Sequence, residues 1–163
     1  MENEKRILLV EDEKNWQDML HSILEEEGYE AEIALSYGEA LGELRRKAFD
    51  LAVIDLRLVS SIDEENLDGM ALLGDALNRR VPVIVVTGYG TPKLVEEAYG
   101  EYGVFSFLEK KNFDSSRFRE LTREAIAATK EVRQVQEELT PEQKKEFREL
   151  TKRLFRGEVI DFS

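Results

Sequence analysis

Short apolar runs alternate with helix-length amphipathic stretches along this chain. Ile7-Leu8-Leu9-Val10, Leu51-Ala52-Val53-Ile54, Val83-Ile84-Val85-Val86 and Phe105-Ser106-Phe107-Leu108 are too short for helices and rich in β-formers. Runs of this kind read as strands buried on both faces of a parallel sheet. The pattern predicts strands at 7–10, 31–35, 51–55, 83–87 and 104–108, with helices at 14–27, 37–47, 67–79, 91–101 and 115–137. Strict alternation of β and α units implies an α/β fold with right-handed crossovers and helices on both sheet faces. Gly28 should stop the first helix, and Asp114-Ser115-Ser116 should start the fifth.

Four runs end in chemically useful side chains: Glu11 and Asp12, Asp55, Thr87 and Lys110. Ligands of open α/β sheets bind beyond the carboxyl ends of the strands, so these residues are expected to meet in one crevice. Two unit charges about 4 Å apart repel by about 4 kcal/mol at an effective dielectric of 20. Three carboxylates from Glu11, Asp12 and Asp55 would therefore need a cation. Hard oxygen donors without His or Cys favour Mg2+ or Mn2+ over zinc. Asp55 stands alone at its strand end and is the best candidate nucleophile towards phosphorus, giving an aspartyl phosphate. Lys110 would counter the charge of the transferred group, and the Thr87 hydroxyl would donate to it.

Each residue alone has a plainer reading. Asp55 could be a turn or cap residue, Glu11 and Asp12 first-turn acids, Thr87 a strand residue and Lys110 a solvated charge. Their coincidence on strand ends of one polarity favours the site. His21, the sole histidine, is expected to be a packed or surface residue of the first helix.

The chain has 163 residues, enough for one domain with a substantial core and a small appendage. It contains no cysteine, which excludes disulfides, zinc–thiolate sites and thiol catalysis. A net charge of −12 argues against nucleic-acid binding. Neither a signal-peptide core nor a membrane-length apolar run is present, so a cytoplasmic protein with no membrane partner is expected.

Two segments depart from the compact plan. Residues 58–66 form a long acidic loop beside Asp55, either a binding loop or a solvated insertion. Residues 138–163 read as an extension to a domain at 1–137, and in it acids and bases are equal in number. Thr140-Pro141 is a strong helix start, and Phe147, Leu150, Thr151, Leu154 and Phe155 follow helical spacing. That stripe must be covered by this domain, by a second copy in a homodimer, or by a downstream protein.

With these motifs in place, the chain resembles the receiver domain of two-component response regulators, the single-domain chemotaxis regulators being the nearest architecture. The resemblance runs from Lys5 to Glu137. It rests on Ile7-Leu8-Leu9-Val10-Glu11-Asp12-Glu13, Leu51-Ala52-Val53-Ile54-Asp55-Leu56, Leu67-Asp68-Gly69-Met70, Val85-Val86-Thr87-Gly88 and Phe107-Leu108-Glu109-Lys110. It implies a flavodoxin-like, doubly wound five-stranded parallel sheet in the order 2-1-3-4-5, here with an extra C-terminal helix. It also implies phosphorelay signalling, in which Asp55 accepts a phosphoryl group from a histidine kinase or phosphotransfer protein. Glu11, Asp12, Asp55 and the Arg57 carbonyl would bind Mg2+, and Thr87 and Phe107 would form the switch pair. No turnover enzyme and no DNA-binding output domain is implied; output would run through protein contact.

Three departures stand out. The family usually places proline after the lysine, where this chain has Lys111. A non-proline cis bond costs about 3–4 kcal/mol, so a trans loop placed differently is expected, with Lys110 less securely positioned and Lys111 as an alternative to it. The loop before Asp68-Gly69 is longer than usual. Arg57, two residues beyond the acceptor, could screen the site from water. Two other functions compete: a non-phosphorylated receiver-like scaffold, and a phosphohydrolase, which Arg57 disfavours because haloacid-dehalogenase-type enzymes carry a second Asp there.

Overall fold

The computed structural model describes residues 4–57, 67–137 and 140–155. The acidic loop at 58–66 and residues Val159, Ile160 and Phe162 lie outside the described residues, as do the side chains of Phe147, Thr151, Leu154 and Phe155.

The elements follow in the order β1 (Arg6–Val10), α1 (Lys14–Glu26), β2 (Glu30–Ala34), α2 (Tyr37–Arg46), β3 (Leu51–Ile54), α3 (Leu67–Asn78), β4 (Val83–Thr87), α4 (Pro92–Gly100) and β5 (Ser106–Glu109). A 3-10 turn at Lys110–Asn112, α5 (Ser115–Glu137) and α6 (Pro141–Phe155) complete it. The strands form one parallel sheet in the order β2-β1-β3-β4-β5, the flavodoxin-like arrangement.

The uninterrupted apolar strands are explained by burial on both sides. Leu8, Val10, Ala52, Ile54, Val83 and Val85 face α2, α3 and α4, where they meet Ala40, Leu44, Leu72, Leu73 and Ala98. The alternate residues Ile7, Leu9, Leu51, Val53, Ile84 and Val86 meet Leu20, Leu24, Phe118 and Leu121 of α1 and α5. A strand's period of two thus feeds two separate cores.

Local chemistry sets the helix ends. Ser36 and Thr91 accept hydrogen bonds from the amides of Glu39 and Leu94, capping α2 and α4. Gly28 follows α1 with φ of 89°, a left-handed conformation that glycine adopts without steric cost. Asp114 Oδ1 accepts from the Ser116 amide at 2.9 Å and starts α5, as expected. Thr140 and Gln143 exchange side-chain-to-amide bonds of 3.2 and 3.0 Å, so α6 begins at the anticipated proline.

α1 and α5 are clamped at one end. Arg119 reaches Glu26 at 2.6 Å and Glu27 at 3.3 Å, and Arg123 meets Glu27 with two hydrogen bonds. None of the described helices is long and apolar enough to cross a membrane.

Candidate functional site

Parallel pairing brings the strand ends into line: Val10 is in register with Ile54, and Ile54 with Val85. The chain leaves each strand at the same edge, so Glu11, Asp55 and Thr87 emerge side by side. All three are buried, with Glu11 1% and Asp55 3% exposed.

Asp55 is gripped at both oxygens. Oδ1 accepts from the Thr87 hydroxyl at 2.7 Å and from the Arg57 amide at 3.0 Å, while Oδ2 accepts from Lys110 Nζ at 3.0 Å. The Thr87 hydroxyl in turn accepts from the Tyr89 amide at 3.2 Å, which orients its proton towards Asp55. The Asp55 carbonyl accepts from the Tyr37 hydroxyl at 2.9 Å.

Lys110 is the internal cation. Its Nζ lies 3.0 Å from Asp55 Oδ2, 2.9 Å from Glu11 Oε2 and 3.5 Å from Glu13 Oε2. Burial works against its charge, but the carboxylates of Glu11 and Asp55 outweigh that and hold its pKa above the usual lysine value. Glu11 is pushed the other way for a carboxyl. Burial raises its pKa, and the Glu13 amide and Lys110 offset only part of the rise. Its Oε1 accepts from the Glu13 amide at 2.9 Å, and Gln17 donates to its carbonyl at 2.8 Å.

The loop carrying Lys110 corrects one expectation. No peptide bond among the described residues is cis, as anticipated without proline. Yet Lys110 is well placed: the 3-10 turn points it inward at Asp55. Lys111 is no stand-in, because its side chain is 77% exposed and pairs with Glu109 at 3.4 Å.

Arg57 is exposed, with its guanidinium 4.7 Å from the centroid of the Tyr89 ring. Phe107 is half-buried, and its amide donates to the Tyr99 hydroxyl at 2.9 Å. Asp12 is half-buried between β1 and α1. His21 lies on α1, 3.4 Å from Glu25 and away from these contacts.

Whether the site suits a divalent ion depends on its donors. Hard oxygens line it, and the buried Glu11 Oε2 meets Lys110 Nζ at 2.9 Å. Two buried carboxylates side by side and their hard-oxygen donor chemistry fit magnesium. The expected three-carboxylate cage is not preassembled, however: no group of three His, Cys, Asp or Glu among the described residues is arranged around a metal position. Lys110 draws the Glu11 and Asp55 carboxylates to itself instead.

The family model for the response regulator receiver domain matches residues 7–123. The chain belongs to this family. This receiver is 33% identical over 134 residues to the nitrogen assimilation regulatory protein NtrX of Azorhizobium caulinodans, covering 80% of this chain and 28% of that protein. The transcriptional regulatory protein ZraR of Salmonella typhimurium is 32% identical over 127 residues, covering 77% and 27%. The receiver therefore spans under a third of the length of the curated relatives it matches. Among solved structures, a CheY-like receiver domain protein from Methanospirillum hungatei JF-1 superposes with a TM-score of 0.69 at 30% identity, covering 79% of this chain and 98% of that one. NtrX from Brucella abortus superposes with a TM-score of 0.70 at 28% identity, covering 85% and 31%.

The structure also places residues at the site that sequence reasoning missed: Glu13, Trp16, Gln17 and Tyr37. Gln17 is a buried polar residue on the apolar stripe of α1, and Tyr37 directly follows a capping serine. Both signals were readable, but neither names a partner.

Proposed function

We propose that this receiver is a phosphorylation-dependent switch whose acceptor is Asp55. The observation that carries the proposal is the double grip on a buried carboxylate, with Lys110 on one oxygen and Thr87 on the other. A carboxylate oxygen of Asp55 attacks the phosphorus of a phosphohistidine on a histidine kinase or phosphotransfer protein. The P–O bond forms as the P–N bond breaks, and the imidazole leaves with the electron pair. Lys110 and Thr87 then lie where charge gathers on the phosphoryl oxygens, so most of the catalysis is positioning and neutralisation.

Glu11, Asp12, Asp55 and the Arg57 carbonyl would hold Mg2+, which when bound neutralises charge on the phosphoryl oxygens. Lys110 leaves Asp55 Oδ2 and follows the transferred group. Thr87 turns from Asp55 Oδ1 to that group, and the ring of Phe107 moves inward behind it. This is a bistable packing change driven by a local charge change. Output runs through protein contact or dimerisation near α4 and α5, in the cytoplasm, without steady turnover of substrate. The scaffold alternative drew its motive from the missing proline and the enlarged loop; the inward-pointing Lys110 supports the switch reading over it.

Incubation with a small-molecule phosphodonor and magnesium should label the wild type and leave Asp55→Asn unlabelled. Label persisting in Asp55→Asn overturns the acceptor assignment. Size-exclusion of the labelled protein reads any change in assembly.

A further inference from the structure

Without proline after Lys110, something else must fix this lysine, whose four-carbon stem carries large rotamer freedom. The side chain is nevertheless only 10% exposed and meets its carboxylates directly. Glu11, Glu13 and Asp55 supply attraction from three sides. Attraction alone leaves the direction of the stem open.

The remaining wall is aromatic. Lys110 Nζ stands 5.0 Å from the centroid of the Trp16 ring, within cation–π range. Trp16 sits in the first turn of α1, three residues after Glu13, where the loop that carries Glu11 and Asp12 ends. Phe113, which closes the 3-10 turn, meets Trp16 edge-on with centroids 5.3 Å apart and rings at 89°. Phe113 then leans on the fully buried Phe118, 5.5 Å away. The aromatic chain ties the Lys110 turn to both α1 and α5.

We infer that Trp16 is a positioning residue for phosphoryl transfer, holding the Lys110 ammonium over its ring face so that it points at Asp55. The inference rests on the acceptor reading of Asp55. It assigns to an aromatic of α1 the restraint that a following proline would otherwise give. When the carboxylates engage a divalent ion, the ring remains as the neutral contact that keeps the ammonium near the transferred group.

The chain has a single tryptophan, which permits a test that leaves packing almost untouched. Trp16 is replaced biosynthetically by mono-, di- and trifluorinated tryptophan, which withdraw charge from the ring face. Labelling by the phosphodonor with magnesium should slow progressively with each fluorine, and Trp16→Leu should slow it by about 5- to 30-fold. A flat fluorine series, or Trp16→Leu reacting at the wild-type rate, overturns the inference.

A second measurement does not depend on phosphorylation. The Lys110 ε-methylene protons should show an upfield ring-current shift in the wild type that Trp16→Leu abolishes. An unshifted resonance in the wild type also overturns the inference. Should the wild type fail to label, or Asp55→Asn still label, the acceptor reading fails, and the resonance still decides the role of Trp16.

Discussion

The Thr87 hydroxyl donates a 2.7 Å hydrogen bond to Asp55 Oδ1, joining residues 32 positions apart at the ends of adjacent strands. Both side chains are buried, so neither can exchange this partner for water. The bond locks the two side chains together in the core of the site.

Thr87→Ala leaves a buried carboxylate oxygen with only the Arg57 amide. It should cost about 1–3 kcal/mol of stability, the range for losing one partner of a buried polar pair. Thr87→Ser keeps the hydroxyl and should recover most of the loss. Urea denaturation midpoints of the three proteins decide this, and equal midpoints for Ala and Ser would sink it.

Lys110→Met removes a cation that sits within ion-pair distance of both Glu11 and Asp55. Breaking a buried pair on one side costs about 3–5 kcal/mol. Millimolar magnesium should return part of that stability, because an ion that binds only the folded state raises its midpoint. Thermal melts with magnesium and with a chelator provide the measurement; a variant indifferent to both would refute the charge argument.

Gly69 lies near the start of α3, where an added Cβ would stand 2.7 Å from the Leu56 carbonyl oxygen and 3.1 Å from the Tyr37 hydroxyl. Backbone cannot yield cheaply there, so Gly69→Ala should destabilise by about 1–3 kcal/mol. At Gly88 the nearest atom would be Lys110 Cδ at 3.7 Å, an ordinary contact. Gly88→Ala should stay within about 0.5 kcal/mol of wild type, as read by the same melts.

The clamp between α1 and α5 predicts a pH dependence. Hydrogen bonds from Arg123 and then Arg119 lower the Glu27 pKa below its ordinary 4.5, with burial opposing them. For a carboxyl lowered on folding, the stabilisation is fully present above pH 4.5 and is lost as pH falls through the lowered value. Glu27→Gln should therefore melt lower than wild type at pH 7, and the gap should close below pH 4.5. A gap constant down to pH 2 would contradict this.

Much of the site was legible because the residues that carry it end strands. Glu11, Asp55 and Thr87 follow apolar runs whose register is fixed by burial on both faces, so their meeting is a consequence of parallel pairing. Lys110 was named from its strand end, but that Lys111 could not replace it was not legible. Two neighbouring lysines look alike in sequence, and only the 3-10 turn sends one inward and the other to solvent. The pairing of Glu11 and Asp55 with one lysine was hidden for a related reason. Carboxylates seek the nearest positive charge, and the turn delivers an ammonium to Glu11 and Asp55.

The order of strands and helices along the chain and the helix starts at Asp114 and Thr140 were determined by the sequence alone, since each depends on periodicity or on side chains a few residues away. Only the tertiary structure decided that Tyr37 bonds the Asp55 carbonyl, that Gln17 holds Glu11, and that Trp16 covers Lys110. Those contacts join segments separated by whole elements. Their partners are chosen by how helices settle on the sheet, and no local pattern encodes that choice.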